Sequence, residues 1–249
     1  MKLKVISTGS KGNAYILQSD DGCLLLDAGM PYGEIVRALG HTTKALHAAL
    51  VTHSHMDHAK AMPNLLAAGI KTCATVATAK AVLGESMPYA LMTVNARQKF
   101  QIEKWDILPF ETEHDAEGSV GYFLSRCVFG KQRILYLTDS YFCRYKFPGL
   151  THIVIECNHI GEIIDQRKAD GIVAADQYIR LKKSHFSLDR VLSYLRTLDL
   201  KKCIKIVLVH LSNENSSEAK MVHEIKKQTG IETVAARDGM TIDFDMCPF

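Results

Sequence analysis

The sequence predicts an α/β (α+β) fold in which two sheets pack face to face with helices outside. Three observations predict it: short apolar runs broken by turn residues at the start, four more such runs in the middle, and alternating strand and helix patterns towards the end. Residues 4–6, 15–17 and 23–26 suit a β-meander. An amphipathic helix is expected over 31–39, with Pro31 near its first turn and Gly40 at its end. The apolar run 48–52 reads as a strand, and 60–68, before Gly69, as a helix. Strands follow at 100–102, 107–111, 121–126 and 133–138, with Gly130-Lys131 marking the turn of the last hairpin. Further on, 153–155 and 204–209 read as buried strands, while 187–198 and 216–228 have helical spacing with Ser at N-cap positions. No linker or low-complexity segment interrupts the chain, so residues 1–249 are expected to form one domain.

Composition narrows the class. Of 249 residues, 47% are hydrophobic and 23% charged, the balance of a globular protein long enough to bury a core without staples. The 30 Lys+Arg against 27 Asp+Glu give +3, too near balance to mark a polybasic nucleic-acid or membrane binder. Seven scattered cysteines (Cys23, Cys73, Cys127, Cys143, Cys157, Cys203, Cys247) never form C-x-x-C, which argues against a disulfide framework and a thiolate zinc site. They read as small buried hydrophobes in a reducing compartment. The N-terminus lacks a signal peptide's apolar core, and no stretch approaches the roughly 20 apolar residues of a membrane span. A cytoplasmic protein without membrane partners is therefore expected.

The chemistry concentrates in Thr52-His53-Ser54-His55-Met56-Asp57-His58, directly after an apolar strand. Imidazole nitrogens and carboxylate oxygens are the donors that Zn²⁺ or Mn²⁺ takes, and a loop after a strand can aim several at one point. A merely solvated loop has no need of four potential ligands in six residues. The spacing is not the helical H-E-x-x-H of zinc proteases, which excludes that reading.

This run, with Leu24-Leu25-Leu26-Asp27-Ala28-Gly29 before it, resembles the metallo-β-lactamase superfamily. The resemblance implies a four-layer αββα sandwich of two mixed sheets with outer helices, and a two-metal site at one edge of the sheets. It also implies that His53, His55 and His114 hold one divalent ion, that Asp57, His58 and His210 hold the other, and that Asp139 bridges them. Asp27 is assigned to orienting the motif loop through hydrogen bonds, because metal ligands need such support. In ribonuclease Z, loops matching Ile155-Glu156-Cys157-Asn158-His159 and Ser184-His185-Phe186-Ser187 supply a glutamate and a histidine. By that resemblance Glu156 orients His185, and His185 is the general acid for the departing oxygen. Asp57 joins them as a catalytic residue.

Nearly the whole chain resembles the WalJ/YycJ-like family, described as 5′→3′ DNA exonucleases. The shared segments are Gly9-Ser10-Lys11-Gly12-Asn13, Glu156-Cys157-Asn158-His159, Ser184-His185-Phe186-Ser187 and Val209-His210-Leu211-Ser212 with Asn213 and Asn215. The implied activity is phosphodiester hydrolysis by a hydroxide that two metal ions, Zn²⁺ or Mn²⁺, activate. Arg180, Lys182 and Lys183 before His185, and Arg144 and Lys146 after Asp139, are candidates for neutralising substrate phosphates; Asn13 is a candidate substrate contact. The modest charge keeps a second expectation open. Phage anti-Pycsar enzymes, which the chain also resembles, hydrolyse cyclic mononucleotides, and that chemistry calls for a small closed pocket roofed by a homodimer partner. A thioester or lactam hydrolase would have less need of the Glu156 and His185 pair, and a non-catalytic binding module would have lost ligands.

Overall fold

The computed structural model describes residues 1–127 and 131–245. Its strands are β1 (Lys2–Ser7), β2 (Ala14–Ser19), β3 (Gly22–Leu26), β4 (Leu46–Leu50), β5 (Thr72–Ala74), β6 (Leu91–Thr93), β7 (Phe100–Ile102), β8 (Trp105–Glu111), β9 (Val120–Cys127), β10 (Lys131–Leu137), β11 (His152–Glu156), β12 (Lys205–Val209), β13 (Glu232–Ala235) and β14 (Thr241–Asp243). The helices are α1 (Tyr32–Ala38), α2 (Met56–Ala59), α3 (Met62–Ala67), α4 (Val76–Leu83), α5 (Gly161–Ala169), α6 (Ala175–Ser184), α7 (Leu188–Leu195) and α8 (Glu218–Thr229).

Two seven-stranded sheets result, ordered β14-β1-β2-β3-β4-β5-β6 and β13-β12-β11-β10-β9-β8-β7. Both are mixed. Strands β14 to β3 pair antiparallel and β3 to β6 parallel; β7 to β10 pair antiparallel and β10 to β13 parallel. Alternation in β1 sends Leu3, Val5 and Ser7 inward, whereas every residue of β11 is buried, as a central parallel strand covered on both faces requires. Leu3, Leu17, Leu24, Trp105, Ile107, Tyr122 and their neighbours fill the layer between the sheets. A second apolar cluster lies under α7 and α8, and a third under α1, α3 and α4, which makes the four layers α, β, β, α. Helix α7 shows the pattern: Leu188, Val191, Tyr194 and Leu195 are buried at helical spacing, each side chain contributing about 1.5–3 kcal/mol. Ser187 caps it, accepting from the Arg190 amide at 3.4 Å.

The fold expected from the sequence is thus the fold observed, with local differences. Ser217, one residue beyond the expected start, caps α8. The expected helix 60–68 narrows to α3, and a separate turn of helix, α2, precedes it, so Asp57 and His58 sit on a helix rather than in a loop. Gly130 of the expected hairpin turn lies outside the described residues. Of the cysteines, Cys23, Cys73, Cys143, Cys157 and Cys203 are buried free thiols, while the side chains of Cys127 and Cys247 lie outside those described. Among the described residues, no helix is long and apolar enough to cross a membrane.

His152, inside β11, stacks on Phe244 with ring centroids 4.3 Å apart, and its Nε2 is buried without a partner. Burial, with Lys205 and the N-terminal ammonium behind it, pulls its pKa down to about 3. An unfolded histidine takes up its proton near pH 6.5, so between about pH 6.5 and 3 the unfolded chain binds the extra proton and stability falls with pH, by about 1.4 kcal/mol per unit. Above that window the residue carries no such cost. His152→Phe keeps the stack and removes the proton site. Denaturant unfolding of the metal-free proteins at pH 6.5 and 4.5 is expected to show a shallower loss in the variant, and parallel losses would refute the assignment.

Candidate metal centre and active site

All but one of the segments that bring chemistry to the site leave the end of a strand, the exception being His185, which follows α6. Asp27 follows β3, His53 follows β4, His114 follows β8, Asp139 follows β10, Glu156 ends β11 and His210 follows β12. The parallel portions of both sheets therefore point their carboxyl ends at one place, where open sheets present ligands. The turns there are tight: Asp27, Asp139 and His210 all have left-handed backbone, with φ of 58°, 44° and 54°.

Asp139 lies at the centre, and its two oxygens face different ways. Oδ2 is 3.8 Å from His53 Nε2 and 3.7 Å from His114 Nε2, while Oδ1 is 3.2 Å from His58 Nε2 and 3.3 Å from His210 Nδ1. Two donor groups result, His53, His55, His114 and Asp139, and Asp57, His58, Asp139 and His210. In the first, His55 Nδ1 and His114 Nε2 lie 3.1 Å apart, close to the edge of about 3.3 Å that a tetrahedral Zn²⁺ with bonds of about 2.0–2.1 Å requires. In the second, Asp57 Oδ2 is 3.7 Å from both His58 Nε2 and His210 Nε2. His53 Nε2 and His210 Nε2 are buried without a hydrogen-bond partner, which a protein tolerates rarely and a cation would relieve. The donor set therefore fits divalent metal. A third grouping, Asp139, Glu156, His185 and His210, also lies close together. There the imidazoles present Nδ1 atoms already bonded to Glu156, so it is a hydrogen-bonded cluster rather than a cation seat.

Electrostatics say the same. Burial opposes ionisation of Asp139, yet His210 and His58 outweigh it and hold the carboxyl well below the usual range. Burial likewise opposes charge on His58 and His210, but Asp139 with Asp27 raises the first, and Asp139 with Asp57 and Glu156 raises the second to about 10. Burial, then the His58 charge, lowers His53. The carboxylates thus draw positive charge into a buried space, and a bound cation would release the protons that now supply it.

Supports stand behind each donor. Asp27 Oδ2 accepts from His58 Nδ1 at 2.8 Å and from the Tyr136 hydroxyl at 2.6 Å, while Oδ1 accepts from the Thr52 amide and hydroxyl, both at 2.8 Å. Thr52 Oγ1 in turn lies 2.9 Å from His53 Nδ1. Glu156 is fully buried and accepts four bonds: His185 Nδ1 at 2.6 Å and His210 Nδ1 at 2.8 Å on Oε1, the amides of Phe186 at 3.1 Å and Ser140 at 3.2 Å on Oε2. His185 is left with Nε2 towards a cavity of about 430 Å³ that His55, Asp57, Asp139 and His210 also line. Glu156 and Asp139 raise the His185 pKa against the effect of burial.

Glycine at position 29 is fixed by contact. A Cβ there would lie 1.7 Å from the Asp57 carbonyl oxygen and 2.7 Å from the Asn13 amide. Gly29→Ala must push α2 and its ligands aside. A loss of about 1–3 kcal/mol in unfolding free energy is expected, with weaker metal binding in a chelator titration; wild-type values for both would remove the argument.

The structure brings together His53, His55, Asp57, His58, His114, Asp139, Glu156, His185 and His210, with Asp27 against them. Two of the expected substrate contacts lie away from the cavity. Asn13 is fully buried, with Oδ1 accepting from the Gly9 amide at 2.9 Å and Nδ2 at 3.1 Å from the Gly9 carbonyl and 3.0 Å from His58 Nε2, so it braces the site instead of facing solvent. Lys183 is exposed and does not line the cavity, because α6 turns it outward. Arg180 does line it, paired with Asp115 at 3.0 Å, whereas Lys182 is held by Asp165 and Arg144 by Glu113. Asp115 itself was not foreseen. Its carboxylate lies 3.2 Å from His114 Nε2 and 3.7 Å from His55 Nε2, and only its place beside His114 in the sequence hinted at this.

Comparison with known proteins agrees with this architecture. Residues 7–124 match the metallo-beta-lactamase superfamily, and the two-sheet sandwich is the metallo-β-lactamase fold, with donors for divalent metal at its edge. It is similar to the exodeoxyribonuclease WalJ of Streptococcus pneumoniae serotype 2 strain D39, at 29% identity over 261 residues, covering 98% of this chain and 92% of that protein. Among solved structures, the metallo-beta-lactamase fold protein YhfI from Bacillus subtilis aligns with a TM-score of 0.72 at 17% identity, covering 96% of this chain and 98% of that one. Human tRNase Z, short form, aligns with a TM-score of 0.63 at 15% identity, covering 98% and 100%.

Proposed function

We propose that the chain, acting as one domain over residues 1–249, hydrolyses phosphodiester bonds of nucleic acid as a 5′→3′ DNA exonuclease. The observation that carries this reading is Glu156, which joins the metal-binding cluster to an imidazole facing the cavity. Phosphoryl transfer needs a proton for a departing alkoxide, and such a pair supplies it. The likeness to an exodeoxyribonuclease over nearly the whole chain supports DNA as the substrate.

In this reading His53, His55 and His114 would hold one ion and Asp57, His58 and His210 the other, Asp139 being a member of both donor groups. Two divalent ions, Zn²⁺ or Mn²⁺, supply Lewis acidity towards phosphoryl oxygens and make water a nucleophile near neutral pH. Asp57, half-exposed at the cavity wall, orients the attacking water. His185 gives the Nε2 proton to the leaving oxygen, and Glu156 keeps the ring aimed by holding the Nδ1 proton. Asp27 holds His58 through Nδ1, which leaves Nε2 for the ion, and Asn13 braces the Gly9 turn beside it. Arg180, at the cavity rim, meets the substrate's charge.

The cavity beside the ligands is open-sided and adjoins a second cavity through Ser10, Leu211, Ser212 and Asn213, which favours a strand over an enclosed cyclic mononucleotide. A homodimer has no supporting observation. One panel tests the reading: metal-loaded protein with 5′-phosphorylated single- and double-stranded DNA, RNA, cyclic mononucleotides and bis(p-nitrophenyl) phosphate. Mononucleotides released progressively from the 5′ end of DNA are expected, and turnover of cyclic mononucleotides alone would overturn it.

A further inference from the structure

The loop Gly9 to Asn13 is tied at both ends to the backbone of the metal-binding segments. Ahead of it, the Thr8 hydroxyl accepts from the His210 amide at 2.9 Å, and at its far end the Asn13 amide donates to the Asp57 carbonyl at 2.7 Å. Between these anchors the chain makes a tight turn, closed by the Gly12 amide on the Gly9 carbonyl at 3.0 Å, with φ of 106° at Gly9 and 150° at Gly12. The two central amides, of Ser10 and Lys11, donate to nothing among the described residues. Both residues are exposed, and both line a polar cavity of about 460 Å³ with Ser212, Asn213, Ser216 and Arg237.

That cavity is not separate from the metal centre. It shares Ser10, Leu211, Ser212 and Asn213 with the cavity of His185 and Asp57, so the two form one groove. On the wall of the cavity of His185 and Asp57, Asn215 is buried, with Oδ1 lacking a partner. Two carboxylates also line the second cavity, and both are engaged: Glu218 by Arg237 at 2.7 and 3.1 Å, and Asp238 by the Thr8 amide at 2.9 Å. The Lys11 ammonium makes no such pair among the described residues.

Successive unbonded amides at a tight turn form an anion-binding concavity, and a neighbouring ammonium strengthens it. We propose that the Ser10 and Lys11 amides and the Lys11 side chain bind a second phosphate of a polynucleotide strand, one neighbouring the phosphate being cleaved. The subsite deepens the phosphodiesterase reading and rests on it. A substrate with two phosphates on one chain would span both cavities, whereas one with a single phosphate would fill only the catalytic one.

The experiment compares wild type with Lys11→Ala and Lys11→Glu, both at an exposed turn position. Binding of a 5′-phosphorylated single-stranded oligodeoxynucleotide to the metal-free proteins is followed by fluorescence anisotropy across a salt series. Turnover by the metal-loaded proteins is followed on the same oligonucleotide and on bis(p-nitrophenyl) phosphate, which carries one phosphate. Lys11→Glu is expected to weaken oligonucleotide binding at least about tenfold, and Lys11→Ala to reduce the salt slope by about 0.7, the contribution of one phosphate contact on a single strand. The rate on bis(p-nitrophenyl) phosphate stays at the wild-type value. Wild-type affinity and salt slope in both variants would overturn the subsite while leaving the phosphodiesterase reading intact. Equal losses on both substrates would also overturn it. Absence of turnover on either substrate by wild type would refute the phosphodiesterase reading, and the binding series would still decide whether Lys11 meets a phosphate.

Discussion

Asp57→Ala is expected to abolish phosphodiester hydrolysis and to lower the bound metal from about two ions per chain to about one. The Asp57 side chain is 29% exposed, and its structural contact is made by the backbone carbonyl, which alanine retains. The fold should therefore survive, with a circular-dichroism melt close to wild type. Loss of one ion removes several kcal/mol of charge stabilisation in the transition state, and about 4 kcal/mol corresponds to about a thousandfold in rate. Elemental analysis and turnover measured together decide the matter: full activity with both ions still bound would sink the assignment of Asp57.

The second large effect separates His185 from Glu156. His185→Ala is expected to reduce kcat by about 10²–10⁴ without loss of metal, because this imidazole faces the cavity and holds no ion in the proposed arrangement. Glu156→Gln should reduce activity as strongly and also weaken metal binding, because the carboxylate holds His210 Nδ1 as well as His185 Nδ1. Removing its charge leaves the two imidazoles and the two amides with a poorer acceptor in a buried place. Metal loss in His185→Ala, measured by elemental analysis, would make that residue a ligand and overturn its role as the acid.

Much of this was legible in the sequence, for reasons that differ by element. Long, buried strands such as β11 and β12 announce themselves as apolar runs, and α7 by its spacing. The three-residue strands β5, β6 and β14 carry too few residues to show a period, and β14 joins its sheet by pairing with β1 from the far end of the chain. Helices α5 and α6 were missed because they bury almost nothing, only Ile164 in one and Ser184 in the other, so no apolar stripe betrays them. At the site, side chains that meet the metals come from recognisable local runs. The supports did not: Thr52, Tyr136 and the amides of Ser140 and Phe186 reach Asp27 and Glu156 from elsewhere in the chain or through the backbone, which no residue type records.

The left-handed backbone at Asp27, Asp139 and His210 bears on how this protein can be improved. Aspartate and histidine tolerate that conformation better than most residues, yet each such position costs about 1 kcal/mol, against a total stability of about 5–15 kcal/mol for a typical domain. Glycine would relieve the cost at every one of them and delete a functional side chain each time. A search for more heat-resistant variants should nevertheless pass over Asp27, because glycine there would leave four buried donors without an acceptor, at about 1–3 kcal/mol each, more than the strain it relieves.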